Sequence, residues 1–369
     1  MQPLNIRMFS PYIADSCAEA VTQVLDSRYI GEGPKVAALE KAIKDRLNIP
    51  FPVALNSGTA AIHLALVMAG VKAGDEVITT AQTMMATSHA ILAQQATPVF
   101  ADIQYENGNI DPKDIGHRIT PKTKAILVVH WTGYPCDMDE ITEIAKKHSL
   151  LVIEDAAHAL GATYKGRPIG AISPYTAFSL QAIKHITTGD GGMLSLTDKA
   201  KYDEARRRRW YGIDRENRKP SEDGEPIWDV TEVGYKYHMN DIAASIGLEN
   251  MKHFSELFAQ RKSFTKQYHE ALKDISGITL MTKKDDRESA NWLFALHVER
   301  RLDFIRMLKE KGIEASVVHN RIDTNAVFGG IRDLPQLERY TKTHVCLPLH
   351  NSLTKDDIQT VIDAIKGGW

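Results

Sequence analysis

Three short segments carry the residue types from which carbonyl chemistry could be built. The first is Asn56-Ser57-Gly58-Thr59-Ala60, between an apolar run at 52–55 and an Ala/Leu-rich stretch. Hydroxyls and glycine at a helix start leave backbone N–H groups free beside small side chains, and the helix dipole there favours an anion, typically phosphate. An ordinary N-cap uses the same residues. The second is Asp155, at the end of an apolar run and followed by Ala156, Ala157 and His158. A carboxylate at such an edge can sit against a flat ligand, or it can cap a following helix, with His158 a packing residue. The third is Ser179 through Lys184, followed by His185 and a turn, Thr188-Gly189-Asp190-Gly191-Gly192. Desolvation lowers a lysine pKa and makes the amine a nucleophile toward carbonyls. A surface lysine before a hairpin turn gives the same string. Taken together, a phosphate cradle, an acid at a strand end and a nucleophilic lysine are what pyridoxal phosphate requires. The lysine makes a Schiff base with its aldehyde, and the acid keeps its pyridine nitrogen protonated.

These segments need elements to position them. Residues 58–70 predict a helix that stops at Gly70. Residues 77–80, 98–101, 125–130 and 150–153 read as strands, with helices over 87–94 and 137–148 between them. Near-continuous apolar strands alternating with helices predict an α/β fold. Its large domain carries a mostly parallel, mixed sheet covered by helices on both faces, with ligands beyond the carboxyl ends of the strands. Composition shifts at 201–226, which holds Arg206-Arg207-Arg208-Arg209 and the polar loop ENRKPSEDGEP. The arginine run could hold an anionic substrate or form a solvated helix face. A long helical zone spans 240–271. Beyond it come strands near 292–298 and 315–318, and helices near 302–311 and 355–365. The expected division is a large domain over 1–250 and a smaller α+β domain over 251–369.

The composition excludes several function classes. Of 369 residues, 43% are hydrophobic and 25% charged, which is ordinary for a folded soluble chain and excludes disorder. Lys+Arg of 45 against Asp+Glu of 47 gives a net charge of −2, so nothing draws the chain globally to nucleic acid or an anionic membrane. Three dispersed cysteines, Cys17, Cys136 and Cys346, make no disulfide framework or zinc motif and point to a reducing compartment. No apolar run reaches the ~18 residues of a membrane span, and the first residues lack a signal-peptide core. The expectation is a cytoplasmic protein with no metal site: HExxH and comparable ligand spacings do not occur.

The sequence resembles the DegT/StrS-type sugar aminotransferases, fold-type I pyridoxal phosphate enzymes, over almost its whole length. The resemblance runs through Tyr29–Pro34, Leu55–Ala61, Gly74–Ile78, Glu154–Ala159, Ser179, Lys184, Thr188–Gly192, Gly234–Asn240 and Leu347–His350. It implies an aspartate-aminotransferase-like fold. Lys184 matches the lysine that forms the internal aldimine and then shuttles the proton. Asp155 matches the pyridine-nitrogen partner, and His158 stands near the phenolic oxygen. Ser179 matches a phosphate-binding hydroxyl, and Gly58, Thr59 and Ala60 match the phosphate loop. Where the family places an aromatic ring over the cofactor, this chain has Met84, which packs on a ring face but stacks less well. The 235–240 segment matches one that reaches a neighbouring subunit's site. Lys236, His238 and Asn240 are its candidates here, so the resemblance implies a homodimer with shared active sites.

The activity implied is transfer of the amino group of an amino acid, L-glutamate, to a keto-sugar. The product would be an amino sugar for lipopolysaccharide or another surface polysaccharide. A nucleotide-linked sugar and an unlinked oxo sugar acid of the 8-oxo Kdo type are both open as acceptors. Arg209, Trp210, His319 and Arg321 are the candidate sugar-pocket residues. Other readings are a pyridoxal phosphate sugar dehydratase or lyase, and a non-catalytic regulator on the same scaffold. The retained Lys184 opposes the dehydratases that replace it with His, and the intact Lys184, Asp155 and Ser179 set opposes the regulator.

Overall fold

The computed structural model describes residues 5–215, 217 and 219–369. Two residues of the ENRKPSEDGEP loop, Glu216 and Arg218, lie outside the described residues. The strands follow the chain as β1 (Phe51–Leu55), β2 (Glu76–Thr80), β3 (Thr97–Ala101), β4 (Thr123–Val129) and β5 (Leu151–Asp155). Then come a short ribbon, β6 (Thr163–Tyr164) and β7 (Arg167–Pro168), and two more strands, β8 (Tyr175–Ser179) and β9 (Gly192–Leu196). The C-terminal part holds β10 (Ile278–Leu280), β11 (Arg287–Glu288), β12 (Phe294–Val298) and β13 (His344–Leu347). Seven strands form the main sheet in the order β1-β9-β8-β5-β4-β2-β3. Only the β1–β9 and β9–β8 pairs are antiparallel. A mostly parallel, mixed sheet under helices is therefore the architecture, as the alternation of runs predicts.

Alternate side chains of each strand enter different cores, as the period of two requires. Ile126 and Val128 of β4 join one apolar cluster, together with Leu39 and Ile43 of the helix Pro34–Leu47. Ala125 and Leu127 of the same strand join another, built on Leu64 and Leu66 of the helix Gly58–Met68. Burial on both faces explains why these strands read as unbroken apolar runs.

Register then collects the chemistry at one edge. Leu55 pairs with Gly192, and Gly192 with Ser179. Asp155 pairs with Ala177 on one side and Val129 on the other. The carboxyl ends of β1, β4, β5 and β8 thus share an edge, and the segments after them meet there. Close packing at this edge needs glycine. A Cβ on Gly192 would lie 2.2 Å from the Ser57 carbonyl, and one on Gly58 would lie 3.0 Å from Ser179 Cβ.

A second sheet, β10-β12-β13, builds its own core with Phe264, Tyr268, Leu308 and Ile362. The long helical zone breaks at His253 into helices Asp241–Lys252 and Phe254–Leu272. We propose a division there, with one amendment: Ile6 bridges to Ile313 and packs in the C-terminal core, so the chain's start belongs with its end. The expected strand at 315–318 does not form. Only Ser316 bridges, to Cys346, because Val318 turns to φ +57° and the His319 N–H closes a three-residue turn on the Val317 carbonyl. That turn carries His319 away from the sheet.

Candidate active site

At the shared edge lies a cavity of about 320 Å³, within the size range of small-molecule sites. Ser57, Gly58 and Thr59 line it, as do Thr83, Met84, Asp155, His158, Ser179, Lys184, Trp292 and His319. The three sequence segments therefore converge on one space.

Lys184 follows β8 in a turn. Its N–H bonds to the Gln181 carbonyl, and the Ile183 carbonyl accepts the Trp292 indole N–H at 3.0 Å. The amine sits 3.8 Å from the centre of the Trp292 ring and has no hydrogen bond to a described residue. Its stem is packed in protein while its tip faces the cavity. Desolvation lowers its pKa to about 7, opposed by the Asp155 charge. A substantial fraction of unprotonated, nucleophilic amine is thus present at neutral pH. The neighbouring His185 points elsewhere, its Nε2 on the Ala290 carbonyl at 2.8 Å.

Asp155 closes β5 and caps no helix, since turns follow it. Its Oδ1 accepts the Ala157 N–H and its Oδ2 the Thr87 hydroxyl at 2.7 Å. Burial raises its pKa, while Thr87, the Ala157 N–H, Lys184 and His130 all pull it down. Glu154, next along the strand, points into the opposite core. It takes His130 Nε2 at 2.7 Å, and with its other oxygen the Ser173 N–H and the Thr176 hydroxyl. His130 Nδ1 accepts the Cys136 N–H, so the proton of its imidazole is on the Glu154 side. The adjacent acids are thereby separated: Glu154 is saturated and structural, Asp155 faces the cavity.

His158 lies parallel to Trp292, ring centres 3.7 Å apart. Its buried Nδ1 has no partner among the described residues. Burial, then the Lys184 charge, holds it well below the usual imidazole range, so the ring is neutral. His319 lines the same cavity, and burial with Lys184 lowers its pKa to about 4.

Ser57 is the N-cap of the helix Gly58–Met68, its hydroxyl accepting the Ala60 N–H at 3.0 Å. This spends the Ala60 N–H and leaves those of Gly58 and Thr59 outside the helical ladder, across from Ser179. The cap thus leaves N–H groups that an anion could take. Ala60 is buried behind them and does not line the cavity.

The remaining candidates lie elsewhere. Arg209 is buried in ion pairs with Glu40 and Glu32, each at 2.5 Å, beside a separate open groove of about 570 Å³. Arg207 and Arg208 pair with Glu232 and Glu204, so much of the arginine run is neutralised internally. Trp210 packs against His238 and under Lys236. Arg321 makes two hydrogen bonds to Asp323 and does not line the cavity. Asn240 caps Asp241–Lys252 with its Oδ1, which accepts the Ala243 N–H, and its amide Nδ2 is not used in that cap. His238 keeps its Nδ1 unpartnered among the described residues, beside Trp210 and away from the cavity. Conversely, Trp292, Thr83 and Thr87 emerge only in three dimensions. A lone aromatic at a strand start, or threonines near a helix start, carry no chemical signal in sequence.

Residues 11–366 match the DegT/DnrJ/EryC1/StrS aminotransferase family. The chain belongs to that family. It is an aminotransferase of a pyridoxal-phosphate-dependent type, and its solved neighbours are sugar aminotransferases. The spore coat polysaccharide biosynthesis protein SpsC of Bacillus subtilis is 37% identical over 96% of this chain and 95% of its own. The UDP-4-amino-4-deoxy-L-arabinose–oxoglutarate aminotransferase of Shewanella sediminis is 35% identical over 96% of each. The crystal structure of the sugar aminotransferase CalS13 from Micromonospora echinospora superposes with a TM-score of 0.94, at 36% identity, over 99% of this chain and 100% of that one. A sugar aminotransferase of Streptococcus pneumoniae, described as putative and solved in PLP and PMP forms, is 30% identical with a TM-score of 0.91, over 98% of each chain.

The cavity fits pyridoxal phosphate on its own chemistry. It offers an amine of lowered pKa, a carboxylate, an orphaned imidazole nitrogen and free N–H groups beside a hydroxyl.

Proposed function

We propose that this aminotransferase moves the amino group of L-glutamate onto a keto-sugar, in ping-pong order, to make an amino sugar for a surface polysaccharide such as lipopolysaccharide. The observation that carries the reading is one cavity joining the low-pKa amine of Lys184 to Asp155 and the 57–59 and Ser179 cradle. Its likeness to an oxoglutarate aminotransferase of a UDP-linked amino sugar and to a spore coat polysaccharide biosynthesis protein supports the choice of donor and acceptor.

Pyridoxal phosphate, when bound, supplies the carbonyl carbon and the electron-withdrawing ring. Lys184 would hold it, and an amine whose pKa is lowered to about 7 can both take and give a proton at neutral pH. Asp155 would hold a proton on the ring nitrogen, His158, neutral, would stand beside the ring, and the Gly58 and Thr59 N–H groups with Ser179 would hold the phosphate. Trp292 and His158 shut water from one side. Met84, 48% exposed at the cavity mouth, stands where a ring-covering residue is needed.

We also propose a homodimer with shared sites, in the cytoplasm. Large apolar side chains at Tyr211, Ile227, Trp228, Val230 and Val233 are exposed on the segment before residues 235–240. That concentration fits a partner surface. The cap uses only the Asn240 oxygen, so its amide Nδ2, Lys236 and His238 are the groups of that segment available to a partner's cofactor. The three cysteines are free and buried, as a reducing compartment allows, and among the described residues no helix is long and apolar enough to cross a membrane.

The test is mass spectrometry of the products with L-glutamate and nucleotide-linked keto-sugars, beside unlinked oxo sugar acids. Amino sugar and 2-oxoglutarate formed in equal amounts support transamination. Group release without glutamate consumption would replace this reading with a lyase.

A further inference from the structure

Asp155 is served by a feature that the cofactor contacts do not require. Thr87 lies at the start of the helix Ala86–Ala93, wholly buried, and its hydroxyl is 2.7 Å from Asp155 Oδ2. The Thr83 hydroxyl is 2.8 Å from that of Thr87. Thr83 is 1% exposed and lines the cavity. These are the only hydrogen bonds of the two hydroxyls among the described residues.

With Asp155 ionised, the proton count fixes the direction of this chain. An ionised carboxylate only accepts. Thr87 has one proton, so it donates to Asp155. It must then accept from Thr83, whose proton is therefore spent on Thr87. We propose that Thr83 and Thr87 form a one-directional hydroxyl relay that keeps Asp155 ionised and aims it into the cavity. Both are positioning residues acting through Asp155. Their relevance to turnover rests on the reading of Asp155 as the pyridine partner.

Burial strongly favours the neutral acid, so the stabilising contacts matter one by one. Lys184, from the segment after β8, and His130, at the end of β4, are the charged or titratable groups that lower the Asp155 pKa. The Ala157 N–H holds the other oxygen. Of these, the relay alone supplies a side-chain donor to Oδ2. A hydrogen bond polarised by a second one behind it is strengthened. Thr87→Val keeps the side-chain shape and strips that donor from Oδ2. Thr83→Val leaves Thr87 donating but removes the support behind it. Thr87→Ser keeps the hydroxyl.

The experiment follows the Asp155 carboxyl by carbon-13 NMR in the full-length, cofactor-free protein, assigned with Asp155→Asn. Alongside it, the pH profile of transamination is measured in the loaded enzyme. Thr87→Val should raise the Asp155 midpoint by about one pH unit or more, since a bond to the charged form is lost. Thr83→Val should raise it by roughly half a unit, the cooperative part alone. Thr87→Ser should restore the wild-type midpoint. The acid-side limit of the rate should move up in the same order. An unmoved midpoint in Thr87→Val overturns the relay, as does a Thr87→Ser midpoint shifted as far as that of valine. If Thr87→Val does not fold, Thr83→Val at the cavity wall decides by the same criterion. The outcomes separate from those of the cofactor reading: a wild type without a near-visible band after adding pyridoxal phosphate refutes that reading whatever Asp155 does.

Discussion

Two regions rich in charge and aromatic side chains differ in one respect. Around Arg209 the charged groups are answered: the guanidinium by Glu32, Glu40 and the Ala54 carbonyl, and Arg207 and Arg208 by Glu232 and Glu204, although His238 Nδ1 beside Trp210 has no partner among the described residues. Around Lys184 several are not. The amine rests on a ring face, His158 Nδ1 has no partner among the described residues, and the Gly58 and Thr59 N–H groups lie outside the helical ladder. Buried polar groups are normally satisfied, so a cluster of unsatisfied ones marks a place kept ready for something else. Burial and charge alone do not separate the two regions. Satisfaction of the charged groups does, and it is invisible in sequence because the partners of Arg209 lie more than a hundred residues upstream.

The comparison can be broken at either side. Lys184→Ala should lower turnover by ~10³-fold or more, since it removes the group that both holds the cofactor and moves the proton. Steady-state rates on a correctly folded variant check this, and near-normal activity would reject the assignment. Asp155→Asn should retain cofactor yet lose ~100-fold or more, because a neutral amide no longer holds the ring proton. A fully active variant would mean the ring sits elsewhere. Arg209→Met should behave in the opposite way. It leaves Glu40 without its cation and Glu32 with Arg215 alone, and should cost about 3 kcal/mol in denaturant unfolding, with the rate per folded molecule little changed. A loss of rate without loss of stability would return Arg209 to the site.

A smaller effect sharpens the contrast through pH. The Lys184 amine titrates at about 7 in the folded chain against an ordinary 10.5. Between those values the unfolded chain binds more protons, so stability rises with pH across that window, and the cost of burying the amine is complete below pH 7. The cofactor-free Lys184→Met protein should therefore be more stable than cofactor-free wild type at pH 6. The gain should be about 1–3 kcal/mol, less than the whole shift implies because the amine tip faces a wet cavity. The gain should shrink toward pH 10. A thermal-melt series that shows no pH dependence of the difference would contradict the desolvated amine. The smallest effect is that of Asn240→Ala, about 1 kcal/mol from a lost cap.

How much was legible depended on whether the signal was local. Four parallel strands, β2 to β5, were legible because both faces are buried and the sequence runs apolar, whereas β8, YTAFS, carries polar residues in that setting and does not read as a strand. The helix Gly58–Met68 was legible because Ser57 caps it locally. The helix Pro34–Leu47 is absent from the sequence reading for the opposite reason. Its first N–H groups are met by the Asp241 carboxylate, which bonds Gly33, Lys35 and Val36 from two hundred residues away. The segment 315–318 has a strand's composition, but the turn at Val318 overrides it. In the site, Lys184, Asp155 and Ser179 were legible as a set because their order and their strand ends are sequence features. Trp292 and His319 come from the C-terminal part and meet them only by folding. Arg209 and Arg321 pair with carboxylates outside this cavity, and a cation in sequence does not reveal the carboxylate that will neutralise it.

The most direct test of the account is the near-visible absorbance of the purified protein, supplied with pyridoxal phosphate, before and after L-glutamate, in wild type and Lys184→Ala. The account predicts a yellow band in wild type that glutamate converts, and no such lysine-dependent band in the variant. Absence of a band in wild type, or the same band in Lys184→Ala, would contradict it.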